Sequence, residues 1–259
     1  MKKLHKLSLV ASAMLLGICS AYADTPENVK IKYTSSELKI DGKLDESAWQ
    51  SAVCYPLQRH NNWAGLPEKT RKRVQLDPFQ PGSFRLLYND KYLYLGIDFE
   101  DSDVIAGSTK NQSRLYRTGD LAELFLTPGN GHAYFEIYVN PVGAHTFYVF
   151  PGGGVANLEM MFDENKITAG IIAAAQVQGT LNNHSDRDRG WSAELAVPLE
   201  KLAIFGIEFA FGKPWTILVS RYNYAVHLRK LQFSGVPIMP AGSSYGDLEY
   251  HAPLLIQKK

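Results

Sequence analysis

The run from Arg117 to Gly143, RTGDLAELFLTPGNGHAYFEIYVNPVG, constrains this chain more than any other. Leu121, Glu123 and Phe125 alternate with Asp120, Ala122, Leu124 and Leu126. After a turn, Ala133, Phe135, Ile137 and Val139 alternate with Tyr134, Glu136, Tyr138 and Asn140. A period of two is that of half-buried strands. The link Thr127–His132 is turn material, because Pro presets φ while Gly and Asn tolerate positive φ. The segment predicts a β-hairpin with two carboxylates, Asp120 and Glu123, at its head. Being three apart, they fall on opposite faces of the strand unless a bulge intervenes.

The same pattern recurs along the chain. From Phe84 to Asp101, FRLLY and YLYLGIDF flank Asn89-Asp90-Lys91 as a second hairpin. Strand character is also present at Val29–Tyr33, Glu37–Ile40, Val53–Arg59, His145–Phe150, Ile167–Thr180, Trp191–Pro198, Pro214–Tyr224 and Gly246–Ile256. Helix is confined to short pieces. Leu44–Gln50 carries Asp45 as an N-cap candidate and turns Ala48 and Trp49 inward, and Leu199–Ala203 follows Pro198. The expectation is an all-β fold, a β-sandwich of two mainly antiparallel sheets or a related barrel, with a few short helices. No repeat or linker divides residues 24–259, which are read as a single domain.

Residues 1–23 read as a signal peptide. Lys2, Lys3 and Lys6 precede the apolar run Leu7–Ile18, too short to span a bilayer, and Ala21-Tyr22-Ala23 is a small-x-small cleavage site. The product is expected to be periplasmic or extracellular, with no membrane association once the leader is removed. The leader takes three lysines with it, leaving 24 basic against 26 acidic side chains. That near-neutral balance argues against nucleic acid as a partner, which requires a basic face. The basic run Lys69–Arg73 is read as a solvated loop. One cysteine, Cys54, remains after cleavage, so the mature chain is expected to rely on its core and not on an internal disulfide.

Other features invite chemistry. Trp63 lies in the irregular stretch His60–Ser83 among polar neighbours, as a sugar-stacking ring or as a loop anchor. Asp98, Asp101 and Asp103 cluster at a strand end and could offer oxygen ligands to a structural calcium, although no complete ligand spacing is present. Gly242-Ser-Ser-Tyr-Gly246 matches the nucleophile-elbow pattern around Ser244, but a strand follows where the elbow needs a helix. Haem would need a Met, His or Lys ligand pair. Met160, Met161, Met239, His132 and His145 are available, yet no spacing singles out a pair, so haem is not expected.

Five local patterns fall in a known order: Ile40-Asp-Gly-Lys-Leu-Asp-Glu-Ser-Ala-Trp49, Tyr88-Asn-Asp-Lys-Tyr-Leu-Tyr94, Asp120-Leu-Ala-Glu-Leu-Phe-Leu126, Tyr134–Gly143 and Trp191-Ser-Ala-Glu-Leu-Ala-Val-Pro-Leu199. Together they resemble the family 9 carbohydrate-binding modules over nearly the whole mature chain. The resemblance implies a β-sandwich that binds an oligosaccharide or polysaccharide, in the service of carbohydrate catabolism, with calcium bound for structure. It implies a sugar-contacting role for Glu123, with Asp120 beside it. Of the family's two stacking tryptophans, the first position holds Arg117 and the second roughly Met239. Tyr116, Tyr245 or Trp63 would then supply the platform.

The spacing of Asp120 and Glu123 suits binding better than glycoside hydrolysis, which needs two carboxylates facing each other across one bond. Binding through hydroxyl hydrogen bonds and aromatic stacking is the leading expectation. A glycan-degrading hydrolase is the alternative, and a haem-binding redox module a further one. For Glu123 a purely structural role also stays open, as the partner of Arg221 inside the sandwich.

Overall fold

The computed structural model describes residues 26–60, 67–75, 77–129, 131–152 and 168–259. Residues 1–23, read above as a signal peptide, and Trp63, Met160 and Met161 lie outside the described residues. Among the described residues there are 13 strands. They are β1 (Val29–Tyr33), β2 (Tyr55–Pro56), β3 (Gln58–Arg59), β4 (Gly82–Tyr88), β5 (Tyr92–Glu100), β6 (Leu121–Pro128) and β7 (Tyr134–Val139). After these come β8 (His145–Phe150), β9 (Ile172–Gln178), β10 (Gly190–Pro198), β11 (Trp215–Asn223), β12 (Gln232–Val236) and β13 (Ala252–Ile256). Three short helices accompany them: α1 (Ser47–Ser51), α2 (Glu68–Gln75) and α3 (Leu199–Leu202).

The all-β expectation is met. The expected pair of separate sheets is replaced by one connected set, in the order β8-β7-β6-β11-β13-β1-β4-β5-β10-β9. The join is β1, which pairs in parallel with β13 on one side and β4 on the other. The remaining ladders are antiparallel, including both predicted hairpins, β6–β7 and β4–β5. Alternation then decides what is buried. Ala122, Leu124 and Leu126 of β6 and Phe135 and Ile137 of β7 enter the same core as Leu86, Leu95 and Ile97 of β4 and β5. Their neighbours Glu123, Phe125, Glu136 and Tyr138 therefore stand on the other face of the β6–β7 pair.

Two of the five sequence patterns meet in space. Glu194 of β10 is fully buried, accepts the indole N–H of Trp49 at 2.8 Å through Oε1, and accepts the backbone N–H groups of Asp41 and Gly42 at 2.9 Å each through Oε2. Gly42 has φ +86°, and a Cβ there would stand 2.6 Å from the backbone of Ala175 in β9. The Asp-Gly turn, α1 and β10 are thus one interlock, which explains why those residue types occur together.

Several local expectations are corrected. Glu37–Ile40 forms no strand; Leu38 instead packs beside Trp49 without a ladder. Val53–Arg59 divides in two, because β2 pairs with β4 while β3 pairs with β12. The cap of α1 is Glu46 and not Asp45, and it makes no side-chain capping bond. The basic run Lys69–Arg73 lies in α2, where Lys72 pairs with Glu68 one turn earlier at 2.6 Å. The predicted strand Gly246–Ile256 is shortened to β13, preceded by a 3-10 turn at Leu248–Tyr250. Cys54 lies between α1 and β2, and the other cysteine of the sequence, Cys19, lies outside the described residues.

Candidate functional site

The outer face of the β8-β7-β6-β11 strands carries an aromatic and acidic surface fixed by register. Glu123 of β6 stands opposite Tyr138 of β7 on one side and Ser220 of β11 on the other, while Phe125 stands opposite Glu136. Tyr148 of β8 lies opposite Glu136. Two segments wall this face into a cleft. The 3-10 turn Leu115–Arg117 brings Tyr116 and Arg117 to one side, held by the Tyr224 hydroxyl donating to the carbonyl of Tyr116 at 2.7 Å. The loop after β12 brings Tyr245 to the other, against Phe125 at 5.7 Å and Tyr222 at 6.1 Å between ring centroids. The cleft has a volume of about 510 Å³, with Glu123 and Glu136 at its floor and Arg114 and Arg117 exposed at its edge. That size suits a small ligand ring.

The floor is dry. Glu123 is 1% exposed, and the Ser220 hydroxyl donates to its Oε2 at 2.7 Å. Burial pushes its carboxyl well above the ordinary range, the Ser220 hydrogen bond opposes that, and the neighbouring Glu136 adds to it. Glu136 accepts the hydroxyl of Tyr138 and is raised to about 7, again chiefly by burial. Burial also raises the phenols of Tyr138 and Tyr222, with Glu123 contributing, so both remain hydroxyl donors at neutral pH. Around the floor the aromatic rings offer faces and edges. Arg117 already uses one, its guanidinium standing 5.5 Å from the ring centre of Tyr116. The cleft can therefore accept and donate hydrogen bonds at its base and pack apolar ring faces along its sides.

Of the residues singled out from the sequence, Tyr116, Arg117, Glu123 and Tyr245 are brought together as lining of this one cleft. Asp120 and Arg221 are not. Asp120 is fully buried on the opposite face, where it accepts the backbone N–H groups of Ile105 at 2.6 Å and Tyr224 at 2.7 Å. Its carboxyl is driven well up by burial and by Asp101. Arg221 lies one residue from Ser220 and so points away from Glu123; the internal pairing of Glu123 with Arg221 does not form. Arg221 pairs instead with Asp101 at 3.0 Å and stands 4.7 Å from the ring centre of Phe99. Met239 is buried against Phe125 and Leu218, beneath Tyr245 and not in the platform.

The acidic cluster is committed to structure. Asp101 is held by Arg221, and Asp103 accepts the Val226 N–H at 2.8 Å and lies 3.0 Å from the His184 ring nitrogen. Asp98 is half-buried within reach of the charge of Arg85. These carboxylates do not converge, and among the described residues no group of three His, Cys, Asp or Glu side chains is placed to hold a metal ion. Ser244 lies on an exposed turn where its hydroxyl bonds Asp247 at 3.2 Å, without the strand-to-helix setting of a nucleophile.

Neither a protein-family model nor a curated protein sequence matches this chain. Solved structures do. A protein from Bacteroides uniformis to which carbohydrate binding is ascribed superposes with a TM-score of 0.63, covering 88% of this chain and 98% of its own, at 14% identity. A family 9 carbohydrate-binding module from Caldicellulosiruptor kristjanssonii, solved with cellotriose, superposes with a TM-score of 0.55 over 89% of this chain and 94% of its own, at 12% identity. The chain has the fold of a family 9 carbohydrate-binding module. A family 9 module from the same organism solved with glucose gives a TM-score of 0.52 over 89% of this chain and 96% of its own, at 11% identity.

Sequence reasoning overlooked Glu136, Tyr138, Tyr148, Phe150 and Tyr222 as cleft residues. The signal was present for most of them. Glu136 and Tyr138 share a phase with Tyr134 in the opening hairpin, and an acidic residue in the aromatic phase of a strand is a polar group placed on purpose beside rings. What the sequence lacked was the register that sets Glu136 diagonally from Glu123.

Proposed function

We propose that this is an exported, non-catalytic carbohydrate-binding protein that takes a sugar ring into the cleft on the outer face of β6, β7, β8 and β11. The observation that carries the reading is the convergence of Glu123, Tyr116, Arg117 and Tyr245 on one cleft within the module fold. Glu123 and Glu136 accept hydroxyl hydrogen bonds, the phenol of Tyr222 donates one, and Tyr116 and Tyr245 pack against the apolar face of the ring. Arg117, at the edge, donates to outward hydroxyls. The leader pattern at residues 1–23 supports export to the periplasm or beyond, and residues 24–259 act as one binding unit in carbohydrate catabolism. Calorimetric titration with a panel of neutral oligosaccharides tests this. Saturable binding weakened by Tyr116→Ala and Glu123→Ala is the expected result, and a flat titration across the panel overturns it.

A hydrolase is the second reading, favoured by one observation. Glu136, raised to about 7, could hold a proton for a leaving group while Glu123 lies diagonally across the same floor, at about 7–8 Å for such strand positions. Both carboxyls rise from adjacent strands on one side of the cleft, which fits a bound ring better than a bond flanked from both sides. Reducing-sugar release lost on Glu136→Gln would establish hydrolysis.

A further inference from the structure

The floor of the cleft holds two acidic side chains and no cation. Glu123 and Glu136 occupy diagonal positions of the β6–β7 ladder, and among the described residues neither has a Lys, Arg or His within ion-pair distance. Their partners are hydroxyls: Ser220 for the one, Tyr138 and Tyr134 for the other. A carboxylate has room for about four hydrogen bonds, so acceptor capacity is left over on both groups. Burial and mutual proximity keep both carboxyls protonated to higher pH than usual, and an opposite charge seated between them would favour their ionised forms. A neutral hydroxyl cannot provide that charge. An ammonium group can, with three donors arranged about one centre.

The walls add to this preference. Tyr116, Tyr138, Tyr222 and Tyr245 line the space around the two carboxyls, and aromatic rings attract a desolvated cation through their faces. Arg117 over the Tyr116 ring is an instance of that attraction within the cleft itself. Arg114 and Arg117 are exposed at the mouth, where solvent screens their charge more than at the buried Glu123.

We propose that the preferred ligand is an amino sugar, such as a glucosamine oligomer, whose protonated amine sits between Glu123 and Glu136 within the tyrosine-lined floor. The inference rests on the carbohydrate-binding reading and names its substrate class. It is tested by titrating the full chain with three trimers at about pH 7, where an α-amino-type group is still mostly protonated and the Glu136 carboxyl ionises: the glucosamine trimer, its N-acetylated counterpart and cellotriose. The glucosamine trimer is expected to bind about ten-fold tighter than the other two, the size of one desolvated ammonium contact with rings and a carboxylate. Glu136→Gln is expected to reduce that preference to less than about three-fold, and Glu123→Gln is a second variant for the same readout. Equal binding of the three trimers, or tighter binding of the acetylated one, overturns the amine preference while leaving carbohydrate binding intact. No binding of any trimer overturns both. If neither variant folds, the ratio measured on the wild-type chain still decides.

Discussion

Arg221 and Asp101 form an ion pair of 3.0 Å in which the two side chains are 1% and 0% exposed. The guanidinium also donates to the carbonyls of Gln80 at 3.1 Å and Glu100 at 2.7 Å, so β11 is tied to the segments that flank β4 and β5. Removing one member of such a pair leaves a buried charge without its partner, at a cost of about 3–5 kcal/mol. Asp101→Ala is therefore expected to lower unfolding free energy by about that amount in urea titration, whereas Asp101→Leu combined with Arg221→Met is expected to lose less. A single substitution with no effect would refute the role assigned to the pair.

Asp120 and Arg117 separate framework from cleft. Asp120→Asn disturbs a fully buried acceptor of two backbone N–H groups and is expected to cost about 1–3 kcal/mol of stability, read as a lower Tm. Arg117→Ala touches an exposed side chain and is expected to shift stability by less than about 0.5 kcal/mol. In calorimetry, however, Arg117→Ala should weaken oligosaccharide binding. Unchanged affinity would remove Arg117 from the site.

Trp49→Phe keeps a buried ring but deletes the indole donor to Glu194. The buried carboxyl then loses one of its three N–H partners, and a loss of about 1–3 kcal/mol is expected in chemical denaturation. Sugar affinity should not change, because Trp49 and Glu194 lie away from the cleft residues.

Stability should fall on both sides of an intermediate pH. Glu136 has its carboxyl raised from 4.5 to about 7, so its contribution is complete below pH 4.5 and is lost as pH rises through 7. His60 is lowered by burial from 6.5 to about 4, so its contribution is complete above 6.5 and is lost as pH falls through 4. Tm measured from pH 4 to pH 9 should show the alkaline decline become shallower in Glu136→Gln, with the acid limb unaltered. Parallel curves for the two proteins would contradict this assignment.

The strands were legible in the sequence where two conditions held: strict alternation and a local partner. The β4–β5 and β6–β7 hairpins satisfy both, and their side chains face as the alternation requires. β12 satisfied neither. It is five residues long, contains Gly235, and owes its existence to β11 on one side and the two-residue β3 on the other. Val53–Arg59 read as a single strand because sequence cannot show that a chain changes partners at Leu57. In the site, Glu123, Tyr116, Arg117 and Tyr245 could be named, but Asp120 was grouped with them through proximity in sequence, and the strand's own alternation places it on the other face. Glu136 was passed over for the converse reason: it is 13 positions away along the chain and diagonal to Glu123 across the ladder.

The position of β1 has a consequence for when the molecule can form. This strand, Val29–Tyr33, is the first among the described residues, and one of its two partners is the last, with Val29 in register with Leu254 and Ile31 with Ile256. The join between the two groups of strands is therefore made from residues separated by almost the entire sequence. A polypeptide emerging from its N-terminus offers β1 early, yet its second edge stays open until β13 has followed. Such distant pairings are slow to form, since a large loop must close before they gain anything. Completion of the sheet thus waits on delivery of the whole chain, and a protein crossing a membrane in extended form would reach the far side before its first strand could lock.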